Sequence, residues 1–224
     1  MNRAVVIVAG GSGIRMGGDL PKQYLELAGK PLIVHSLEKF RLFDPQMVVV
    51  VVMSPAHLKH WESIHNTYKL DSEIIIAHGG ASRYDSVKNG LAHVEDGMVV
   101  GIHDAVRPLV SQATLERTYS SALRWGFGIP VIEMDDSLRM LDEIGNSVKV
   151  DRANIRRVQT PQVFQSTLIK QAYQRIIKPE FTDDASVYES EFGTLKLVEG
   201  NRENIKITTP TDLEVAKALI HSGD

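Results

Sequence analysis

The chain has 224 residues, enough for one large α/β domain to bury its own core without covalent staples. It has no cysteine, which excludes disulfides, thiolate nucleophiles and cysteine-based zinc sites, and which agrees with a reducing compartment. Its 25 basic and 28 acidic residues leave a formal charge of -3, so no global basic field draws nucleic acid or anionic lipid, and any polyanion site must be local.

The opening MNRAVVIVAGG has one arginine and a short apolar run before its glycines, too little for a signal sequence or a membrane span. The expectation is a cytoplasmic protein with no membrane or nucleic-acid partner. In chain order the pattern then reads as a strand over Ala4 to Ala9, a helix over Pro31 to Phe40, and a strand over Met47 to Met53. A helix over Pro55 to Thr67, a strand over Glu73 to Ala77 and a helix over Ser82 to Val94 follow. VVIV and VVVVV are continuously apolar rather than alternating, as in strands buried on both faces of a mostly parallel sheet with helices on either side. A further strand, Met98 to Ile102, ends in His103-Asp104, and Ser111 opens a helix running to Trp125. The alternation breaks after Pro130. Between Glu133 and Val150 polar, alternating residues flank the turn signal Glu143-Ile144-Gly145-Asn146, which predicts a β-hairpin arm over about residues 133–152. Helices return at Ser166 to Ile177 and at Thr209 to Ile220, the latter with Thr209 as N-cap, Pro210 in the first turn and Asp212 as capping carboxylate. No Gly/Pro/Ser-rich linker and no repeat divides the chain, so the reading is a single doubly wound, Rossmann-like α/β domain with a projecting arm.

The first strand runs into Ala9-Gly10-Gly11-Ser12-Gly13-Ile14-Arg15-Met16-Gly17-Gly18, where glycines let backbone N–H groups approach an anion. Two familiar phosphate loops fail against it. A dinucleotide fingerprint starting at Gly11 and Gly13 meets Met16 where a glycine or alanine belongs, and a P-loop starting at Gly13 meets Asp19 where its lysine belongs. What remains is an anion cradle flanked by two cations, Arg15 and Lys22. Asp104 falls at the end of a sheet strand, on the edge where open α/β sheets bind ligands, and there it could meet substrate hydroxyls or help to hold magnesium. His57, His60 and His65 lie on one helix and are read as a solvated face rather than a metal site; Trp61 and Trp125 are read as packing residues. Arg156 and Arg157, without interleaved aromatics, point to a local phosphate site rather than to nucleic acid.

GGSGIRMG followed by PKQYLELAGKPLIVHSLEKF resembles the opening of the 2-C-methyl-D-erythritol 4-phosphate cytidylyltransferases of isoprenoid precursor synthesis. The resemblance continues through GGASRYDSVKNGL (79–91), HDAVRPLV (103–110), Asp151-Arg152, QTPQVF (159–164), TDDASVYE (182–189) and VEGNRENIKITTPTDLEVA (198–216). It implies cytidylyl transfer from CTP, with magnesium, to a sugar-alcohol phosphate. Ala9, Gly10, Gly11 and Gly13 would hold the triphosphate, with Gly80, Ala81, Ser86 and Ala105 completing the nucleotide pocket. Arg15 and Lys22 would stabilise the transition state. Asp104, Arg107, Thr160, Thr182 and Lys206 would meet the acceptor, with Lys206 positioning its phosphate. The resemblance further implies a homodimer in which the arm carries Ser137 and Arg152 to the neighbouring site. Here Ser137 keeps the hydroxyl and Arg139 the charge of the usual arm motif while its proline is missing, and Gly10 stands where alanine is common.

A phosphate monoester is largely dianionic at pH 7, so it attacks the α-phosphorus of CTP without a general base. The difficulty is electrostatic, and it explains why cations and N–H donors, rather than a histidine, populate the motifs. Ribitol-5-phosphate cytidylyltransferase is the nearest alternative, sharing the loop and CTP and differing in acceptor. From other classes come a non-catalytic nucleotide-binding module, which has no use for Arg15, Lys22, Arg152 and Lys206 together, and an oxidoreductase, which the failed fingerprint argues against.

Overall fold

The computed structural model describes residues 2–10, 21–71, 73–174 and 181–221. Gly11, Gly13 and Arg15 of the glycine loop lie outside the described residues, as does the expected end of the helix at Ile177.

The first strand, β1 (Arg3–Val8), is central, and Ala4, Val5, Val6 and Ile7 are wholly buried. A small two-stranded ribbon, β2 (Glu26–Leu27) and β3 (Lys30–Pro31), leads into α1 (Leu32–Phe43). The sheet continues with β4 (Val48–Met53), α2 (Leu58–Thr67), β5 (Ile75–His78), α3 (Arg83–Leu91), β6 (Val99–Asp104), α4 (Gln112–Trp125) and β7 (Phe127–Glu133). After β7 come the arm strands β8 (Leu138–Leu141) and β9 (Ser147–Val150), then β10 (Arg156–Val158), β11 (Gln162–Gln165) and α5 (Ser166–Gln174). The described chain closes with α6 (Asp184–Phe192), β12 (Leu197–Glu199) and α7 (Pro210–His221).

In space the strands run β10-β7-β11-β6-β1-β4-β5, with β12 also pairing with β7. β5, β4, β1 and β6 are parallel neighbours and β7 pairs in parallel with β12, while β10 and β11 run against them. The sheet is therefore mostly parallel, as its unbroken apolar runs predict. The two faces of β1 feed separate cores. Val5 and Ile7 pack with Ile33, Leu37 and Phe40 of α1, Trp61 of α2 and Tyr119 of α4. Ala4 and Val6 pack with Val87 and Leu91 of α3, Ile169 and Tyr173 of α5 and Tyr188 of α6. The helices thus flank both sides of the sheet. α3 comes close because Gly90 has no side chain; a Cβ there would lie 2.5 Å from Val6 Cγ1 and 2.7 Å from Val52 Cγ2.

The signals at Ser111, at Thr209 to Asp212 and in the arm turn act as read, and α3 carries a further cap. Ser82 and Asp85 form a reciprocal capping box on α3, Ser111 caps α4, and Asp212 accepts from the Thr208 and Thr209 N–H groups at 2.8 Å each. In the arm Asp142 accepts from the N–H groups of Ile144 and Asn146, Gly145 takes the left-handed conformation at φ 88°, and β8 and β9 pair with each other in a ribbon apart from the main sheet.

Other readings need correction. β7 is a strand the sequence pattern does not announce: it runs through Pro130, which lies between the β11 pairing at Phe127–Gly128 and the β10 pairing at Val131–Glu133, and the strand–helix alternation gives way to the arm only after it. Trp125 is 49 % exposed at the end of α4, with the Arg124 guanidinium and the Lys196 ammonium 4.8 and 4.6 Å from its ring centre, so its role is at the surface. The histidines of the α2 region are not simply solvated: His57 and His60 pack edge-on against buried Tyr24, with ring centres 5.9 and 4.5 Å away, and His65 lies 6.1 Å from Trp61.

Candidate active site

The order β1, β4, β5 carries the chain to one side, and β6 returns it to the other side of β1. The loops after β1 and β6 therefore part company at Val8 and Asp104, which face each other in register. Such a switch point leaves a crevice outside the carboxyl ends of the strands. Here a cavity of about 280 Å³ opens there. Val8, Ala9 and Gly10 form one wall, Gly80 to Arg83 and Ser86 a second, and Lys22, Asp104 and Lys206 bring charge to it.

Each wall is fixed by the backbone beside it. Ala9 donates to the Val52 carbonyl at 2.8 Å, and its own carbonyl accepts from the buried Gln23 amide at 2.7 Å, so the end of β1 and the 3₁₀ turn Lys22–Tyr24 are held as one unit. That unit places Lys22 at the cavity. The Ser86 hydroxyl accepts from Gly80 N–H at 3.0 Å and donates to the Ser82 carbonyl at 2.9 Å, so it shapes the 80–82 turn. Ala105 is buried, with its N–H on the Val8 carbonyl and its own carbonyl accepting from Ser36.

The acidic centre is Asp104. Lys206 Nζ lies 3.0 Å and Arg107 Nε 3.4 Å from its Oδ2, and Arg83 Nε lies 3.8 Å from Oδ1. Burial by itself would raise this carboxyl, but the three cations outweigh it and hold the group well below the usual carboxylate range. Arg83, which the sequence reading did not single out, is itself clamped: Asp184, with no exposed surface, takes its guanidinium in a two-pronged pair at 2.9 and 2.7 Å and also accepts from the Tyr173 hydroxyl at 2.6 Å. Breaking such a buried pair costs about 3–5 kcal/mol, because one charge is left alone. The local signal was present in Ala81-Ser82-Arg83, but its partner lies 101 residues away.

Among the residues expected to meet the acceptor, Asp104, Arg107, Thr160 and Lys206 are brought together. Thr160 is buried, and its hydroxyl accepts from Asp104 N–H at 3.1 Å. Arg107 Nη1 donates to the Asn204 carbonyl at 2.8 Å, two residues before Lys206. Thr182 is exposed just ahead of Asp183, the N-cap of α6. Ser137 and Arg152 belong to the arm and do not line this cavity; the Arg152 guanidinium donates to the Asp135 carbonyl at the arm's base, and Arg202 pairs with the Asp135 carboxylate. Among the described residues there is no group of three His, Asp or Glu side chains that could hold a metal ion. The same residues include no helix long and apolar enough to cross a membrane.

Residues 3–222 match the family described as 2-C-methyl-D-erythritol 4-phosphate cytidylyltransferase. The chain is 48 % identical over 220 residues to the protein of that name from Bacteroides fragilis and 46 % identical over 220 residues to the one from Phocaeicola vulgatus, in each case across 98 % of this chain and 100 % of the relative. The crystal structure of 2-C-methyl-D-erythritol 4-phosphate cytidylyltransferase from Thermus thermophilus superposes with a TM-score of 0.79 at 30 % identity, covering 99 % of this chain and 100 % of that one. Motifs, switch-point cavity and near-full-length similarity agree, and the chain belongs to the 2-C-methyl-D-erythritol 4-phosphate cytidylyltransferase family.

Proposed function

We propose that this protein transfers the cytidylyl group of CTP to 2-C-methyl-D-erythritol 4-phosphate, giving 4-diphosphocytidyl-2-C-methyl-D-erythritol and pyrophosphate. The observation that carries the reading is the switch-point cavity, whose charged lining among the described residues is Lys22, Arg83, Lys206 and Asp104. An oxygen of the acceptor phosphate attacks the α-phosphorus, and the bond to the bridging oxygen breaks with its electron pair leaving on pyrophosphate. Such a step asks for positioned positive charge and no general base.

In this reading Ala9 and Gly10 meet the triphosphate together with Gly11, Gly13 and Arg15, which lie outside the described residues. Gly80, Ala81, Ser86 and Ala105 frame the cytidine. Lys22 and Arg15 stabilise charge on the reacting phosphates. Lys206, Arg107, Thr160, Thr182 and Asp104 form the acceptor side, where Lys206 and Arg107 leave Asp104 for the incoming phosphate. The magnesium expected of the reaction does not find a dedicated cage here, since Asp104 is the sole carboxylate among the described lining residues and three cations already claim it. Magnesium carried by the triphosphate, largely on phosphate oxygens and water, suits hard-cation chemistry, and when bound it shields the charge of the leaving group.

The homodimer and the cytoplasmic setting belong to the same proposal. The arm is a two-stranded ribbon, marginal by itself in water, and it exposes Met140, Leu141, Ile144 and Val148, a pattern suited to docking on a second copy and delivering Ser137 and Arg152. Small phosphorylated substrates and a chain without cysteine suit the cytoplasm.

Pyrophosphate release from CTP and magnesium tests the reading, with methylerythritol phosphate and ribitol phosphate offered separately. Release with the first alone is expected. Lys22→Ala should lower turnover a few hundredfold, the equivalent of about 3–4 kcal/mol for one transition-state donor. Release only with ribitol phosphate would reassign the acceptor, and release with neither would overturn the transferase reading.

A further inference from the structure

His103, the penultimate residue of β6, has no exposed surface, and the reaction proposed above gives it no role. Both ring nitrogens are nevertheless bonded. Nε2 faces the Arg107 carbonyl at 3.1 Å, and a carbonyl can only accept, so Nε2 carries the proton. Nδ1 of the neutral ring is then an acceptor, and the group facing it is the Thr160 hydroxyl at 3.1 Å. That hydroxyl must therefore donate to His103, while it accepts from the N–H of Asp104 at 3.1 Å. The bonds form a directed chain with every proton assigned: Asp104 N–H to Thr160 Oγ, Thr160 O–H to His103 Nδ1, His103 Nε2–H to Arg107 C=O.

The chain closes on residues of the acceptor side. Arg107 N–H returns to the Asp104 carbonyl at 3.0 Å, so the imidazole braces a tight turn whose two ends carry the Asp104 carboxylate and the Arg107 guanidinium. Asn204 Nδ2 donates to the Thr160 carbonyl at 2.8 Å, its own carbonyl accepts from Arg107 Nη1, and Ile207 N–H reaches the Val106 carbonyl at 3.0 Å, which holds the segment bearing Lys206 against the same turn.

We infer that His103 is a positioning residue that sets the acceptor half of the site, acting through the Thr160 hydroxyl and the Arg107 carbonyl rather than on substrate. Thr160 then works as a buried link whose hydroxyl proton is already committed, not as a direct grip on the acceptor. Burial disfavours the imidazolium, which keeps the ring neutral in this role. The inference rests on the transferase reading for its kinetic consequence but not for its geometry.

Two measurements test it. Nitrogen-15 spectra of the intact protein at pH 7, with no substrate added, should show His103 protonated on Nε2 alone; a proton on Nδ1 overturns the chain whatever the enzyme's acceptor proves to be. In steady-state kinetics with methylerythritol phosphate, His103→Asn keeps an acceptor near Nδ1 and His103→Gln a donor near Nε2. Each should raise the acceptor KM about tenfold, the worth of one lost hydrogen bond, with the KM for CTP little changed. Thr160→Val should do the same and Thr160→Ser should not. In Thr160→Val combined with His103→Asn the losses should overlap rather than multiply. Multiplying losses, or an equal rise in both KM values, would overturn the inference. Inactivity of the unaltered enzyme with this acceptor would instead count against the transferase reading and leave the tautomer result standing.

Discussion

A methyl group on Gly80 would lie 2.2 Å from Cβ of Asp85, inside the capping box that starts α3. Neither atom has a flexible chain with which to retreat, so the 80–82 turn or the helix start must move, and with it the Ser86 hydroxyl that holds Gly80 N–H. Gly80→Ala is therefore expected to weaken CTP binding by at least about tenfold and to lower stability by about 1–3 kcal/mol, the usual cost of overpacking. Isothermal titration with CTP and urea unfolding read the two effects; an alanine variant that binds like the parent would show that the turn does not frame the nucleotide. Lys22 offers the complementary case. It lies at the cavity end of an anchored turn, so its removal should lower turnover with little effect on the unfolding midpoint. Lys22, Asp104 and Lys206, which the structure brings to one cavity, were legible from local sequence because each belongs to a short motif with a chemical reason. Arg83 was not, because its role depends on a carboxylate brought in by α6 from the far end of the chain.

The same division holds for whole elements. β1, β4 and β6 announce themselves as apolar runs, and α4 and α7 by capping residues. β11 and β12 do not, since QVFQ and LVE are short and owe their strand form to partners already in place. Helix α6 carries a readable signal in Asp183 and Ser186, which cap it reciprocally, within the same TDDASVYE stretch (182–189) that carries the family resemblance. The arm was legible through its turn. Its opposed residues Met140 and Val148 are 61 % and 56 % exposed, so they contribute little to their own subunit. Replacing both by serine should leave the stability within about 0.5 kcal/mol of the parent. If the arm docks on a second copy, sedimentation should shift from dimer to monomer; a monomeric parent would remove the arm from any role in assembly.

For the molecule as a whole, acid should act in two stages. Burial pushes the His103 imidazole down to about 4 from 6.5, so below pH 6.5 the unfolded chain takes up a proton that the folded chain refuses. Stability is therefore full above pH 6.5 and falls as pH drops towards 4, by about 3 kcal/mol from this residue. His35, also lowered by burial, acts in the same direction. Below pH 4 the three-cation hold on Asp104 is lost as that carboxylate is protonated. Urea midpoints at pH 7, 5.5 and 4.5 should fall in order, and His103→Gln should flatten the upper stage; an unchanged slope in that variant would assign the loss to other groups.

The antiparallel strand β11 fills the space between β6 and β7, pairing with both. Those two neighbours are complete by Glu133, whereas β11 begins only at Gln162, after the arm has been made. A growing or truncated chain that stops between these points holds two unpaired edges facing one slot, backed by Val100, Ile102 and Ile129. Any extended segment, including the β11 of another molecule, can enter such a slot by edge pairing. Fragments ending in the arm should accordingly associate or precipitate, and a two-piece version of the protein would hold together best if its break lay outside this interval.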